Sequence, residues 1–383
     1  MAWPAAAGEL TAAAARPAVA DPAPPPLDGV AAAADADDAE IRALLRRGVI
    51  PGAVRVAFTR EPCYADGEGL AGADDHTVVV REAGRIVGLG RLGVQRLHRD
   101  GVARRIGYLG ELRLADDIAR PVRALRDGFA ALGRIAGPLD GCFTSIALDN
   151  ARARRVLEHG GRLGLPAYTP LADLATIVAP VGRPRDRDDA GDEPVDRDAL
   201  TRFLVAGARD AHLTLAWDDE RWRALARHGV GPRDFVVVHD GGAIVAAAAV
   251  WDQRAFRQVV VDGYAGALRL ARPLVRLAAS LGIVPPLPRP GAAVAQGAVF
   301  GATVADDAFW PALWRALRRR AMQIGLDWLT VARDAADPQR AALGRVARGR
   351  TYHTRLYFVR WAGASPDAGA WDARPFRPEV ALL

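Results

Sequence analysis

The chain repeats its own pattern along its length, and this repeat restricts the possible folds more than any other feature. Residues 78–87 (VVVREAGRIV) match residues 236–245 (VVVHDGGAIV), which lie 158 positions later. In both stretches, two β-branched runs meet at a turn glycine, which is the pattern of a β-hairpin. Residues 114–117 (LADD) match residues 304–307 (VADD) at a distance of 190 positions. Two collinear matches predict two copies of one folding unit, and the second is longer by 190 − 158, about 32 residues.

The same comparison orders the elements of each copy. A proline follows the second match in both copies, at residues 121 and 311, where it suits the first turn of a helix. Each copy then has the order helix, hairpin, strand, helix, strand, helix and final strand, with opening helices over 39–47 and 199–208. The additional residues of the second copy lie near 260–291. We therefore predict an α/β protein of two tandem units, each a mixed, mostly antiparallel sheet flanked by helices.

Local composition places the boundaries of these units. The first residues are almost entirely Ala, Pro, Gly and Asp, and a charged stretch without large apolar residues separates the two copies. Segments of this kind bury too little apolar surface to fold by themselves. The predicted division is a disordered tail at 1–36, an N-terminal unit at 37–181, a linker at 182–195, a C-terminal unit at 196–362 and a closing tail at 363–383.

Charge and residue usage exclude several functional classes. All 51 cationic side chains are arginines, and 45 acidic residues are interleaved with them, so the chain lacks the continuous basic stripe of a nucleic-acid binder. The two cysteines, Cys63 and Cys142, cannot form a disulfide framework, and the seven histidines have no metal-ligand spacing. No run of about 18 apolar residues is present. We expect a cytoplasmic, metal-free protein with neither a nucleic-acid nor a membrane partner.

Five stretches carry a resemblance to a known superfamily. The strand at 112–114, which leads into a helix, and residues 149–158 resemble the GNAT superfamily of acetyl-CoA-dependent N-acyltransferases. Residues 108–113, 143–146 and 164–168 resemble a subgroup with two tandem domains. The resemblance implies an enzyme that transfers an acetyl group from its co-substrate acetyl-CoA to a small-molecule or peptide amine, with the site in the N-terminal unit.

The resemblance also implies where the coenzyme binds. In this superfamily the pantetheine arm lies along a strand, and the pyrophosphate lies at the start of the next helix, where free N–H groups and the helix dipole favour an anion. Here that turn is 116–123, with two arginines but none of the usual glycines; two solvated surface arginines are the alternative interpretation. Asn150 can contact the coenzyme arm or cap the helix that follows it. The implied coenzyme contacts are Leu112, Arg113, Leu114, Arg120, Arg123 and Asn150.

Glu111 is the candidate general base. It lies on the strand along which the thioester would bind, and a buried carboxylate there can take a proton from an ammonium nucleophile. The alternative is a structural carboxylate paired with Arg104, Arg105 or Arg113.

The general acid is less clearly marked. The superfamily often has a tyrosine seven residues after the asparagine, but that position is Leu157 here. Tyr168 is the nearby downstream tyrosine and becomes the candidate catalytic acid, with packing as the alternative role. Acceptor pockets of this superfamily are built by variable loops, here 58–73 and the insertion of the second copy.

The second copy has the features of a unit that has lost its coenzyme site. Its turn at 307–311 contains Trp310 and Pro311 and no cation. Large aromatic side chains bury much area, so this copy is predicted to pack against the first and to bind no coenzyme. Seven of the nine tryptophans lie in it, at positions 217, 222, 251, 310, 314, 328 and 361.

Two other functions remain open at this point. Residues 88–93 fit the glycine pattern of a dinucleotide-binding turn, but residues 94–100 are too few for the helix that such a turn requires. The second function is a catalytically silent binding protein that uses the same fold. The missing glycines and Leu157 favour it, whereas Glu111 and the two arginines favour the enzyme.

Overall fold

The computed structural model describes residues 29–70, 74–182, 195–280, 286–361 and 371–383. These residues form the predicted elements of each copy in the predicted order, with four further strands and, outside the insertion near 260–291, one further helix among them. The α-helices are α1 (Asp38–Arg47), α2 (Pro121–Ala136), α3 (Ala151–Glu158), α4 (Arg197–Ala208), α5 (Asp219–Arg227), α6 (Gly266–Ser280), α7 (Trp310–Gln323) and α8 (Arg340–Val346). The strands are β1 (Val30–Ala32), β2 (Val49–Ile50), β3 (Val54–Thr59), β4 (Asp75–Glu82), β5 (Arg85–Arg99), β6 (Val102–Leu114), β7 (Gly141–Ala147), β8 (Ala167–Pro180), β9 (Phe235–Asp240), β10 (Ala243–Trp251), β11 (Gln258–Tyr264), β12 (Gln296–Val304), β13 (Trp328–Asp334) and β14 (Arg350–Arg360).

One large sheet spans both units. Its eleven strands lie in the order β1-β4-β5-β6-β7-β14-β8-β13-β12-β10-β9, and a separate small sheet has the order β11-β3-β2. Within the large sheet, β6 with β7 and β12 with β13 are parallel pairs, and the other pairs are antiparallel. The fold therefore matches the predicted mixed, mostly antiparallel α/β class.

The two units exchange their last strands. β14, the final strand of the C-terminal unit, lies between β7 and β8 of the N-terminal unit, and β8 in turn pairs with β13. Along β14 the register with β8 runs from Arg350 opposite Val178 to Arg360 opposite Ala167. Each half of the sheet is thus completed by a strand from the other half.

A β-bulge recurs at matching positions of the two units. The register of β5 on β6 shifts between Leu89 and Arg91, and that of β10 on β12 shifts between Ala247 and Ala249, 158 positions later. At the bulges, Glu111 and Gly301, 190 positions apart, have φ of 54° and 64°. The left-handed conformation costs a non-glycine residue roughly 1–2 kcal/mol. The bulge therefore belongs to the repeated unit. In the first copy, Glu111 adopts the left-handed conformation although it costs free energy there.

Each parallel strand pair separates soon after it begins. β6 pairs with β7 only over 106–108, and β12 pairs with β13 only over 296–298. Beyond these residues the strands diverge and leave two spaces. We call the space between 109–114 of β6 and 144–147 of β7 the N-terminal gap, and the equivalent space between β12 and β13 the C-terminal gap.

Helices cover the sheet at equivalent places in both units. α2 packs on β4 and β5, and α7 packs on β9 and β10. Trp310, Leu313 and Leu317 of α7 are fully buried, which fits the predicted packing role of the tryptophans. Residues 88–93 lie within strand β5 rather than in a turn before a helix, so the dinucleotide-binding alternative is excluded.

The N-terminal segment differs from its prediction, and the predicted closing segment packs on the fold. Residues 29–36, assigned to a disordered tail, include β1, which pairs with β4 through Val30 opposite Val80. A short strand needs few apolar residues when its partner strand is already in a sheet, so composition missed it. Residues 371–383 pack into the C-terminal unit: Phe376 and Ala381 are buried there. Residues 1–28 and most of the linker lie outside the described residues.

The strand exchange makes the folding of the N-terminal unit dependent on the rest of the chain. We expect a fragment of residues 1–185 to be unfolded or aggregated, because β7 and β8 would both lose β14 as their partner. Circular dichroism and size-exclusion chromatography of the fragment, alone and coexpressed with residues 186–383, measure this. A monomeric fragment that unfolds cooperatively by itself would contradict the expectation.

Candidate functional site

The edge of β6 that faces the N-terminal gap has free backbone groups. The amide of Ala115 donates to Val87 of β5 (2.8 Å), and Arg113 lies opposite Leu89. Because alternate residues of a strand present their backbone groups to opposite sides, those of Leu112 and Leu114 are directed into the gap. Within the described part of the chain, nothing bonds them there. Leu112 is 37% exposed. The gap therefore offers an accessible strand edge where Leu112 and Leu114 were predicted to contact the coenzyme.

The equivalent edge in the C-terminal gap is occupied by the chain itself. Arg333 Nη2 donates to the carbonyl of Ala302 and Gln339 Nε2 to that of Val304, each at 3.0 Å. These carbonyls lie 190 positions after those of Leu112 and Leu114. The segment 371–383 lies beside them. This occupation supports the prediction that the second unit binds no coenzyme.

Glu379 extends this occupation of the C-terminal gap. Its carboxylate accepts a hydrogen bond from the backbone N–H of Gly301, the residue at the bulge. Burial raises the pKa of Glu379 to about 7, against the opposing effects of that hydrogen bond and of the cations Arg333 and Arg221. A carboxylate thus occupies the bulge amide of the second unit.

The helices that follow the two gaps begin differently. At the start of α2, Arg120 is the N-cap residue without a side-chain capping bond, and the first turn holds no acidic residue. Arg120 and Arg123 are both exposed. The short turn before α7 is capped by Asp306, and Asp307 follows it. Free N–H groups and the two arginines favour a phosphate at α2. The equivalent positions before α2, residues 116–117, are aspartates as well, so the arginines are what distinguishes the two helix starts.

Glu111 is held by groups from two other elements. Its carboxylate forms an ion pair with Arg60 and accepts a hydrogen bond from Tyr64 Oη at 2.8 Å. Arg91 of β5 lies 3.7 Å from the same carboxylate. All three partners are largely buried. Arg60 and Tyr64 belong to the loop at 58–73, whose role in binding the acceptor remains a prediction.

The arginines expected beside Glu111 lie elsewhere. Arg105 pairs with Asp74 at 2.6 Å, and Arg104 is exposed. The Arg113 side chain lies against Gly48 at the end of α1, where burial lowers its pKa. Glu111 is therefore paired with arginine, as the structural alternative expected, but its partner is Arg60 and not Arg104, Arg105 or Arg113.

Side chains close the inner end of the N-terminal gap. Thr144 Oγ1 of β7 donates to the carbonyl of Leu109 at 2.7 Å. The Tyr108 hydroxyl lies 3.2 Å from Ser145 Oγ, and the Tyr108 ring lies 5.0 Å from that of Phe143. Burial raises the pKa of Tyr108, while Ser145 and three nearby arginines oppose this shift. The gap is thus open towards α2 and closed two to three residues before the bulge.

A group of three arginines lies between the large and small sheets. Burial lowers the pKa of Arg60, and the neighbouring cations Arg257 and Arg91 lower it further. Burial and the neighbouring cation Arg91 also lower the pKa of Arg257. Arg257 Nη1 donates to the carbonyl of Ala381 at 3.1 Å. In the described residues, the salt-bridge partners of these arginines are Glu111, which pairs with Arg60 and Arg91, and Asp75, which pairs with Arg91. An acceptor molecule next to Glu111 would therefore meet guanidinium donors.

The structure does not bring Tyr168 together with Glu111. Tyr168 is buried in the cluster under α2, with its ring 6.3 Å from Phe129 and 6.0 Å from Tyr357. Burial raises its pKa. Asn150 caps α3 by accepting from the Ala153 amide at 3.1 Å. Packing and capping, the alternative roles of these residues, are present; their catalytic and coenzyme roles remain predictions.

One group of donor atoms is close enough to hold a metal ion. It consists of Asp100, His212 and Asp372, all within 4.8 Å of one another. Nδ1 of the buried His212 accepts from the Asp100 backbone amide at 3.2 Å, so its proton resides on Nε2, which lies 3.1 Å from Asp372. A protonated nitrogen cannot ligate a metal. We infer a clamp that ties residues 371–383 to the β5–β6 hairpin.

The comparisons with known proteins bear on this architecture. No family model and no curated protein matches the sequence. Two structures of Saccharomyces cerevisiae N-myristoyltransferase with bound myristoyl-CoA match at TM-scores of 0.53 and 0.56, both with 10% identity, covering 95% of this chain and 87% and 89% of theirs. A GNAT-family acetyltransferase from Colwellia psychrerythraea matches at 0.46, with 11% identity over 86% of this chain and 99% of its own.

The chain has the fold of N-myristoyltransferase. The likeness extends over both halves of the chain and confirms the predicted α/β class with a mixed, mostly antiparallel sheet flanked by helices. In the described residues, no helix has the length and apolar composition needed to cross a bilayer.

Several residues of the site were not found from the sequence. Tyr108 belongs to the stretch 108–113 that resembles the superfamily, but only the separation of β6 and β7 shows that it lies at the closed end of the gap. Arg60, Arg257 and Glu379 are single residues in segments without a motif, and they reach the site through long-range packing. The one signal for Glu379 was its place in a closing segment with three prolines, at 366, 375 and 378.

Glu379 gives the stability of the protein a pH dependence. Because its folded pKa lies near 7 and its ordinary value is 4.5, the folded state binds more protons between these values, and stability falls as pH rises from about 4.5 to 7. We expect Glu379→Gln to remove a cost of up to about 3 kcal/mol at pH 8. Urea unfolding of wild type and variant at about pH 5 and pH 8 measures the difference.

The matched control is Glu220→Gln on the exposed face of α5. It should leave the pH dependence of unfolding as in the wild type. Equal slopes for the wild type and Glu379→Gln would show that the Glu379 carboxyl titrates alike in the folded and unfolded chains.

Proposed function

We propose that the protein is an acyl-CoA-dependent N-acyltransferase that transfers an acetyl group from acetyl-CoA to an amine, with its site in the N-terminal gap. The observation that carries this proposal is the open backbone edge at Leu112 and Leu114. Buried or half-buried backbone groups normally have partners. The second copy satisfies the equivalent groups with its own side chains, and the first leaves them open to a ligand.

The coenzyme fits this edge in two parts. The two amides of a pantetheine arm can bond the Leu112 and Leu114 backbone as an added strand does, which costs no rearrangement of β6. The pyrophosphate then reaches the start of α2, where uncapped N–H groups meet the charges of Arg120 and Arg123. This orientation places the thioester near the bulge at Glu111.

The bulge provides the polarising group. In the second unit the amide of Gly301 binds the carboxylate of Glu379, so the bulge conformation exposes an amide to an anionic oxygen. The equivalent amide in the first unit belongs to Glu111. A thioester carbonyl oxygen at that amide would be stabilised as negative charge develops on it.

The reaction itself is a direct displacement. The amine nitrogen attacks the thioester carbonyl carbon, the C–S bond breaks, and the thiolate leaves with a proton from solvent or a nearby hydroxyl. Glu111, directly or through water, is the proposed acceptor of the proton that the ammonium or amine nitrogen loses. Its contacts with Arg60 and Tyr64 hold the carboxylate at the bulge. Tyr168 remains the sequence-based candidate for the proton donor.

The closed end of the gap favours a short acyl group. A chain attached to the thioester would extend from the bulge towards residue 108, where the Tyr108–Ser145 contact and the Thr144–Leu109 hydrogen bond bridge the two strands. An acetyl group ends before this bridge. A long chain would have to displace it.

The second candidate function is that of a binding protein with this fold that takes a ligand or a partner and catalyses no reaction. In a catalytically silent binding protein, Glu111 would serve only as a structural partner of Arg60 and Tyr64. The buried Leu157, where the superfamily often has a tyrosine, favours this alternative. The binding protein takes a ligand or a partner without chemistry, and only the enzyme releases free coenzyme A in the presence of an amine.

Coenzyme binding depends on the start of α2 in this proposal. We expect Arg120→Gln with Arg123→Gln to weaken acetyl-CoA binding by about tenfold or more, because two charge-assisted contacts to phosphate are lost. Isothermal titration calorimetry of the full chain measures the affinity. Arg315→Gln, an exposed arginine on α7, is the matched control and should change nothing. No heat with millimolar acetyl-CoA would overturn the proposed site.

The bridge at Tyr108 sets the acyl length. We expect Tyr108→Ala to raise the ratio of butyryl-CoA to acetyl-CoA turnover about tenfold, because the side chain that closes the gap is removed. Release of free thiol with a panel of amines, measured for each donor, gives the ratio. Ile135→Ala, at an exposed apolar residue of α2 outside the gap, is the control and should leave the ratio unchanged. An unchanged ratio would place the acyl group elsewhere.

A further inference from the structure

Helix α6 carries an apolar stripe that faces solvent. Leu270, Leu274 and Leu277 are 82%, 71% and 59% exposed. Their spacing of four and three residues places them on one face of the helix. The other exposed large apolar side chains of the described residues are between 36% and 51% exposed and are scattered over the surface. A single exposed leucine is ordinary, but an aligned row marks an interaction surface.

Contacts of Tyr264 fix the start of helix α6. Tyr264, just before α6, donates a hydrogen bond to the Pro288 carbonyl at 2.6 Å. The Arg272 guanidinium lies 5.1 Å above the Tyr264 ring. These contacts tie the segment together near its origin in β11. The first unit folds without a counterpart of this segment, so the fold does not require it.

Charge around the stripe selects its partner. Residues 263–305 contain four arginines and no aspartate or glutamate, in a chain with 45 acidic residues. The helix itself contributes three of these arginines, including the exposed Arg269. A basic amphipathic helix attracts a surface of negative charge.

A second copy of the chain is a poor occupant for this stripe. Two copies that met through α6 would bring their arginines together with no acid in either segment to offset them. A bilayer surface meets both requirements at once. Leucines insert at the boundary between headgroups and acyl chains, and arginines contact lipid phosphates while their aliphatic parts remain apolar.

We propose that α6 docks the protein on an anionic lipid bilayer, with Leu270, Leu274 and Leu277 in the interface and Arg269 at the headgroup phosphates. The helix lies on the surface and does not span it, which agrees with its length of 15 residues. The expectation of no membrane partner rested on the absence of a spanning segment, and a surface helix needs none.

Vesicle flotation with the full chain tests the proposal without acyl-CoA or an acceptor. We expect binding to phosphatidylcholine vesicles with about 30% phosphatidylglycerol and at least tenfold weaker binding to pure phosphatidylcholine. Leu270→Ser with Leu274→Ser should weaken binding to the anionic vesicles at least tenfold, because two leucines leave the interface. Arg269→Gln should weaken it by a smaller factor. Ile135→Ser with Leu163→Ser, two exposed apolar residues elsewhere, is the matched control and should bind as wild type.

Several outcomes would overturn the proposal. Absent binding to anionic vesicles, or equal binding by the leucine double variant, would exclude the helix as the docking element. A dimer by light scattering that the leucine substitutions dissociate would assign the stripe to a second copy. All variants should keep the wild-type thermal midpoint, because the changed side chains are exposed. Failure of the acyltransferase proposal would leave these measurements unaffected.

Discussion

The hydrogen-bond ladder between β14 and β8 is the constraint on which the rest of the structure depends. It joins the last strands of the two units from Arg350 to Arg360, with one register shift between Leu356 and Tyr357, and β14 also pairs with β7. β7 forms one wall of the N-terminal gap, so the C-terminal unit fixes the geometry of a site that it does not itself contain. Because each unit needs a strand of the other, the two gaps keep a fixed relation within one continuous sheet.

The two copies share one backbone arrangement, a bulge beside a pair of separating parallel strands, but differ in what contacts it. Both have the bulge at the same register, and both separate their parallel strands after three residue pairs. In the second copy the exposed strand edge is satisfied by Arg333 and Gln339, and the bulge amide by Glu379. An unsatisfied backbone group away from water costs about 1–3 kcal/mol. The first copy leaves the same groups open to water at Leu112, where a ligand with matching amides and carbonyls can replace the water.

The sequence predicted the local elements well and the long-range pairing poorly. Hairpins, helix starts and the strand before α2 follow from turn glycines, prolines and apolar spacing, which are properties of adjacent residues. The exchange of β14 and the small sheet depend on residues far apart in the chain, for which a single sequence contains no signal. The partners of Glu111 illustrate the limit. A regular strand would place residues 111 and 113 on one face, but the bulge changes the direction of the Glu111 side chain, and Arg60, 51 positions away, becomes its partner.

The insertion in the second copy connects the candidate site with the surface helix. At the start of β11, Gln258 accepts hydrogen bonds from Thr59 Oγ1 at 2.8 Å and from the Glu61 amide at 3.0 Å, and donates to the Glu61 carbonyl at 2.8 Å. These bonds hold the residues on both sides of Arg60, and Arg60 in turn holds Glu111 at the bulge. At the other end of β11, about 20 Å away at 3.3 Å per residue, Tyr264 anchors α6. One end of β11 thus positions Arg60 beside Glu111, and the other end leads into α6. The additional residues of the second copy therefore contribute contacts to the site of the first copy that the repeated unit alone lacks.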